Sequence, residues 1–450
     1  MRTIWTTLLT GAWCAAVASS LGAPPQPQRP GTSQQPSPPL NEQQLQAVGR
    51  MTPEEAQTIV GIFFPKLPPR SLDSVKEIAG LSSGSRPELL TWERVYSLAL
   101  VRARDDAPRG AGVLEPGAFA ELVARHGVAD FSRFRRDFLT GRPGAAGTFR
   151  DPSGDYLELL RRLQVIDNAR CDIALRENCL RLFQELIRAE SSGLGELEVD
   201  LVEASLIRAR ERLANATAQF RDRLDDLKAA LGLPPSASAI PDLQGIAAFR
   251  EVFEGVHNWH RDPKRTLNVL PQLIARLPAL GEVVVEGRPI LGTIEANPDR
   301  LEDELAATMR SAVKNRNSPE KAEAARDTDV PLERRTRQHI RRLVEARRAY
   351  VVERRRYELA SRLIDQVLEQ LVAPPAGGTQ ALAQSVGART QTKAILEQSF
   401  EIERAQGRLV GLWASYKAER LALYRDTGSL PYDDWKPFDD DLAARLAQNQ

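Results

Sequence analysis

Cys171 and Cys179, with His257 and His260, are the residues here whose types invite a chemical reading. Thiols and imidazoles ligate metals or act as nucleophiles and bases. The two cysteines sit eight residues apart in a helical stretch. That is about 12 Å of rise, too far for a disulfide across one intact helix. They read as buried thiols or as partners in an intermolecular pair. The histidines lack the cysteine or carboxylate cluster that a metal site requires, so no metal ligands are expected. The chain has no Gly-rich phosphate loop and no zinc spacing. Nothing singles out a catalytic pair among its many Asp and Glu. The reading is a non-enzyme without a cofactor, one that works by shape.

The elements that set the shape are long helices. Among the 450 residues, 27% are charged and only 6% aromatic, which favours extended helices over one large globular core. The net charge of +1 excludes the basic field that a nucleic-acid partner requires. In residues 334–428, Leu343, Tyr350, Tyr357, Ile364 and Leu371 recur every seven residues. Ile395, Ile402, Leu409, Leu412, Tyr416 and Leu423 follow with spacings of seven, three or four. This is the seam of an antiparallel coiled coil. Pro374, Pro375, Gly377 and Gly378 stop the first arm, residues 385–390 open the second, and Gly428 with Pro431 ends it. An arm of ~40 residues spans about 60 Å.

The first half carries a matching pair. Leu159, Ile166, Ile173, Leu180 and Ile187 mark one helix. Residues 191–195 break it, and Leu206, Leu213, Phe220, Leu227 and Leu231 mark the return, closed by Gly232 and Pro234. What these stripes pack around is left open. Thr91 is a candidate N-cap for a short helix to Arg104, and residues 301–317 read as another short helix. Val283, Val284 and Val285, followed by Gly287, Arg288 and Pro289, form the best β-hairpin candidate. Strands in the first half are expected within 105–154.

Residues 1–20 read as an export signal, with Arg2, an apolar run and a small-x-small site at Ala16 and Ala18. Residues 21–45 form a Pro/Gln-rich tether. The remainder divides into repeats at 46–235 and 236–450. Leu90, Glu93 and Pro108 match Leu301, Glu304 and Pro319 at one constant offset, and Gly193 and Gly232 match Gly387 and Gly428 at two shorter offsets that differ by two residues. A deletion ahead of the second pair of long helices reconciles the offsets, as in an internal duplication. The fold class is therefore mainly α, with two long antiparallel helical hairpins and short or reduced strands.

These residues resemble the TolC-like outer-membrane efflux proteins. Val386-Gly387-Ala388-Arg389-Thr390 is similar to the family's Val-Gly-x-Arg-Thr tip. Trp413, Tyr416, Arg420, Leu423 and Tyr424 resemble its last long helix, and Phe220 to Pro234 the end of its first hairpin. The resemblance implies a homotrimer, with a periplasmic helical tube joined to an outer-membrane β-barrel. It also implies an adaptor protein and an inner-membrane pump as partners, in efflux or type I secretion. The implied docking tips are Gly193, Leu194, Gly195, Val386, Gly387, Ala388, Arg389 and Thr390, where glycine permits a tight reversal. Lys393 and Glu397 are the pore-entrance candidates: where the family often has acidic residues this chain has Lys393 and Leu396, with Glu397 adjacent. The stretch between Pro319 and Arg334 is too short for two membrane strands of ~10 residues. A periplasmic coiled-coil scaffold without a pore is therefore the alternative.

Overall fold

A computed structural model describes residues 60–67, 71–82, 84–104, 151–188, 195–285, 288–289, 322–372 and 381–427. These residues are mainly α-helical and belong to one compact unit. The sequence expectations for 105–150, 301–317 and Gly428 lie outside them.

Four long helices form the main layer: α3 (Ser153–Arg188), α4 (Glu196–Ala230), α7 (Ala322–Val372) and α8 (Ala381–Thr427). The expected stripes point inward. Leu343, Tyr350, Tyr357, Ile364 and Leu371 of α7 are all buried, as are Ile395, Leu409, Tyr416 and Leu423 of α8. At 1.5 Å per residue, α7 is about 75 Å long and α3 about 55 Å. α4 is buried along one face only, through Val202, Leu206, Phe220, Leu224 and Leu227. It ends where Gly232 takes φ 79° and turns the chain. Gly232 N donates to Ala229 O and Leu233 N to Lys228 O, closing the last turn as the sequence leads one to expect.

Cross-helix pairs fix the order and direction. Arg162 bonds Gln219 while Arg176 bonds Ser205, so α3 and α4 run antiparallel. Arg342–Glu419 and Arg408–Glu353 do the same for α7 and α8. A Cβ placed on Gly411 meets Arg161, one on Gly407 meets Val165, and Arg176 bonds Ser399, so α8 also runs against α3. The order is α4, α3, α8, α7, with every neighbour reversed.

A second layer covers one face. It contains α1 (Leu72–Ile78), α2 (Trp92–Arg104), α5 (Ala247–Arg261) and α6 (Val269–Ala275). Arg94 N donates to Thr91 Oγ1 at 3.2 Å, so Thr91 caps α2 as expected. Edge-to-face pairs join the layers: Phe249 with Trp413 and Phe253 with Tyr357, each at 5.5 Å between ring centres. Tyr350 OH donates to Pro278 O at 2.7 Å, and Tyr416 OH donates to Gly281 O. Two seam tyrosines thus tie down the loop after α6. The answer to what the stripes pack around is this chain's own second layer.

The short strands differ partly from expectation. β1 (Glu88–Leu90) pairs in parallel with β2 (Ala239–Pro241), a contact the sequence did not announce. β3 (Val284–Val285) and β4 (Arg288–Pro289) form the antiparallel hairpin that was expected. Residues 60–67 lie across α3 and α5 as a strap. Asn178 Nδ2 donates to Ile62 O and Phe63 O, and Phe64 stacks on His260 with ring centres 4.1 Å apart. A Cβ on Gly61 would stand only 2.9 Å from Arg261 O, so the backbone there docks closely.

His339 joins the start of α7 to the end of α8. It bonds Glu419 and lies 3.5 Å from Asp426. The Asp426 and Glu419 hydrogen bonds outweigh burial and raise its pKa from 6.5 to about 9. A histidine raised in the folded state adds stability that is complete below about pH 6.5 and lost as pH rises through about 9. Thermal unfolding of His339→Gln is therefore expected to depend less on pH than wild type between pH 6.5 and 9. Parallel slopes for the two proteins would refute this assignment.

Candidate functional site

The sequence-derived site residues fall at the far end of the helical layer. Gly195 precedes α4, with φ −122° and ψ 178°. This is ordinary extended backbone, so Gly195 does not use the left-handed freedom expected of a tip glycine. Its N–H donates instead to the Glu198 carboxylate at 2.8 Å, which closes the first turn of α4. Gly193 and Leu194 lie outside the described residues.

The second tip requires a correction. Val386, Gly387, Ala388, Arg389 and Thr390 were expected to form the turn and instead lie inside α8. The helix starts at Ala381, and it absorbs Gly387 because one glycine costs a helix only about 1 kcal/mol. Arg389 and Thr390 are exposed. Lys393 and Glu397, the pore-entrance candidates, are exposed as well and continue the stripe from Arg389 at successive intervals of four. Phe400 extends it, 41% exposed, with the Arg212 guanidinium 5.3 Å from its ring centre. The structure thus gathers Arg389, Lys393 and Glu397 on one face of α8. The turn geometry expected of Val386, Gly387 and Ala388 is replaced by helix.

Behind this stripe lies a charged cluster that heptad spacing does not reveal. Arg176 Nε bonds Asp172 Oδ2 at 2.8 Å, and both side chains are almost wholly buried. Arg176 also reaches Ser205 on α4 and Ser399 on α8, the latter at 3.0 Å. Arg212 bridges Asp172 at 3.2 Å and Glu403 at 3.0 Å. Burial, reinforced by Asp172, raises the Glu403 pKa against the pull of Arg212 and Arg176. One ion network therefore binds α3, α4 and α8 at a single level. The sequence held a signal for it: Asp172 and Arg176 stand four apart, on a helix whose flanking Ile173 and Leu175 are buried.

Cys179 is buried and Cys171 half-buried, and His257 and His260 each contact a polar group. Neither cysteine is in a disulfide, and burial pushes the Cys179 thiol up to about 12. His257 Nε2 lies 2.6 Å from Pro65 O, and His260 Nδ1 lies 2.9 Å from Asp365 Oδ1. Among the described residues, no group of three His, Cys, Asp or Glu is arranged to hold a metal. No helix among them is long and apolar enough to cross a membrane.

The outer edges of the layer differ in charge. The outward faces of α4 carry seven exposed carboxylates, among them Glu203, Glu211 and Asp222, against four arginines. Along the described side chains of α7, seven exposed arginines, among them Arg348, Arg355 and Arg356, face one exposed carboxylate, Glu345. Both helices expose large apolar residues: Leu197 and Ile207 on α4, and Val351, Val352, Leu359 and Leu363 on α7. Comparison with protein-family profiles, curated proteins and solved structures finds no match to this chain.

Removing one partner from a buried ion network strands the other charge, typically at about 3–5 kcal/mol. Arg176→Met is expected to destabilise by that amount, because Asp172 keeps only its longer contact with Arg212. The double variant Asp172→Asn with Arg176→Met is expected to recover part of the loss in urea unfolding. A single variant as stable as wild type would refute the role of the network.

Proposed function

We propose that this chain is the wall-forming subunit of a passive export duct, built from copies arranged side by side as a helical tube. The observation that carries this reading is the match between the two edges of the layer. α4 is acid-rich and runs opposite to α7, which is arginine-rich, and both expose apolar side chains. Placing α7 of one copy beside α4 of the next continues the up–down alternation without a break. Such a contact joins unlike surfaces, so it closes only as a ring. The resemblance to the TolC-like proteins sets the expected number at three. It also sets the outer membrane and periplasm as the location, with a periplasmic adaptor and an inner-membrane pump at the tips.

In this reading the duct performs no chemistry. The exposed stripe of Arg389, Lys393 and Glu397 lies near the end where the two helix pairs turn back, and meets the adaptor or lines the entrance there. The long helices are coiled-coil hairpins produced by duplication. One observation favours the alternative of a pore-free periplasmic scaffold. The described strands are two or three residues long, against the ~10 of a membrane strand. Membrane fractionation separates the two readings, because a duct requires detergent for release and a scaffold does not.

The edge contact has its own test. The pairs Glu353–Arg408, Gly411 beside Arg161, and Arg162–Gln219 bring Arg348 of α7 level with Asp222 of α4. Arg348→Glu alone and Asp222→Arg alone are each expected to lower the fraction of trimer seen by mass measurement in detergent. A chain carrying both changes restores opposite charges across each junction and is expected to regain the trimer. A wild-type chain that stays monomeric at all concentrations would overturn the tube.

A further inference from the structure

Between the main layer and α5 lies a cavity of about 50 Å³ for which the duct has no use. Its lining includes Phe64 of the strap, Asn168, Cys171 and Asp172 of α3, His260 of α5 and Tyr357 of α7. Three polar atoms of these residues have no protein partner: Asn168 Nδ2, Asp172 Oδ1 and His260 Nε2. Their side chains are deeply buried, with Asn168 and His260 each 2% exposed and Asp172 6%.

The rest of each group is engaged, which fixes what the unpartnered atom offers. Asn168 Oδ1 accepts from Gln164 Nε2 at 2.8 Å, so the amide presents N–H. Asp172 Oδ2 accepts from Arg176 and Arg212, so Oδ1 presents a lone pair. His260 Nδ1 lies 2.9 Å from Asp365 Oδ1, and a carboxylate only accepts, so the tautomer with the proton on Nδ1 presents a lone pair at Nε2. The cavity therefore asks for two donors and one acceptor. Arg176 and Arg212 already balance Asp172 and Glu403, so it asks for no net charge. The parallel rings of Phe64 and His260 give it a flat wall. At ~10–15 Å³ per water-sized position, its volume corresponds to about four non-hydrogen atoms.

We propose that this cavity binds a small, planar, uncharged molecule ending in a primary carboxamide or urea group. Its two N–H bonds point to Asp172 Oδ1 and His260 Nε2, and its carbonyl accepts from Asn168 Nδ2. The site goes beyond the export reading and does not depend on it.

Cys171 lines the cavity and provides the readout. Iodoacetamide is itself a primary carboxamide, and the full chain can be labelled with it and read at Cys171 by peptide mass, with buried Cys179 as internal reference. The Cys171 labelling rate is expected to saturate with reagent concentration, as for binding before alkylation. Acetamide is expected to slow it about threefold at about twice its dissociation constant, while acetate at equal concentration does not. Asn168→Asp keeps the shape but removes the donor, and is expected to abolish both saturation and protection. A wild-type rate linear in reagent and indifferent to acetamide, or slowed equally by acetate, would overturn the proposal and leave a cavity that holds water only. That wild-type comparison decides the matter even where Asn168→Asp fails to fold.

Discussion

A helix flanked on both sides has little surface on which to display charge, and α3 meets that constraint along most of its length. Asp172 and Arg176 sit at a level where α4 and α8 both close in. An isolated ion there carries a heavy desolvation penalty, so the charges persist only as a network whose members satisfy one another. This network defines the height at which three helices meet. Apolar stripes can slide by a turn and still find apolar partners. A guanidinium that must reach Asp172, Ser205 and Ser399 together cannot.

The second layer works in the same spirit with less charge. Tyrosines of the α7 and α8 stripes do double duty: their rings fill the seam and their hydroxyls hold backbone carbonyls at Pro278 and Gly281. Arg354 adds a bond to Ile274 O at 3.2 Å. Irregular chain between α6 and β3 is thereby fixed without long strands of its own. The aromatic contacts Phe249–Trp413 and Phe253–Tyr357 press α5 onto α8 and α7. One face of the layer is thus sealed within a single copy, while its two lateral edges stay exposed.

How much of this was legible in the sequence depends on how local each feature is. Leu343, Tyr350, Tyr357 and Ile364 announce a buried face because heptad spacing is a property of one segment. Gly232 before Pro234, and Thr91 before Trp92, announce helix ends for the same reason. The pairing of Glu88–Leu90 with Ala239–Pro241 joins segments about 150 residues apart, and neither three-residue piece carries a pattern. The unpartnered polar atoms of the residues that line the cavity come from α3 and α5, so no single stretch reveals them. The second tip was misplaced because Gly387 reads as a breaker by type, whereas its neighbours favour helix and stronger breakers stand just upstream. Lys393 and Glu397 entered only through the resemblance, and their alignment with Arg389 emerges only once the helix is known to start at Ala381.

The close seat of Gly61 against Arg261 has a consequence for the order of events at birth. The strap leaves the ribosome some 200 residues before the helix end that receives it. At about 5–20 residues per second, that delay is ~10–40 s. Through this interval Phe64 lacks the His260 ring on which it stacks. Docking of the strap thus serves as a completion mark, set only after α3 and α5 have come together.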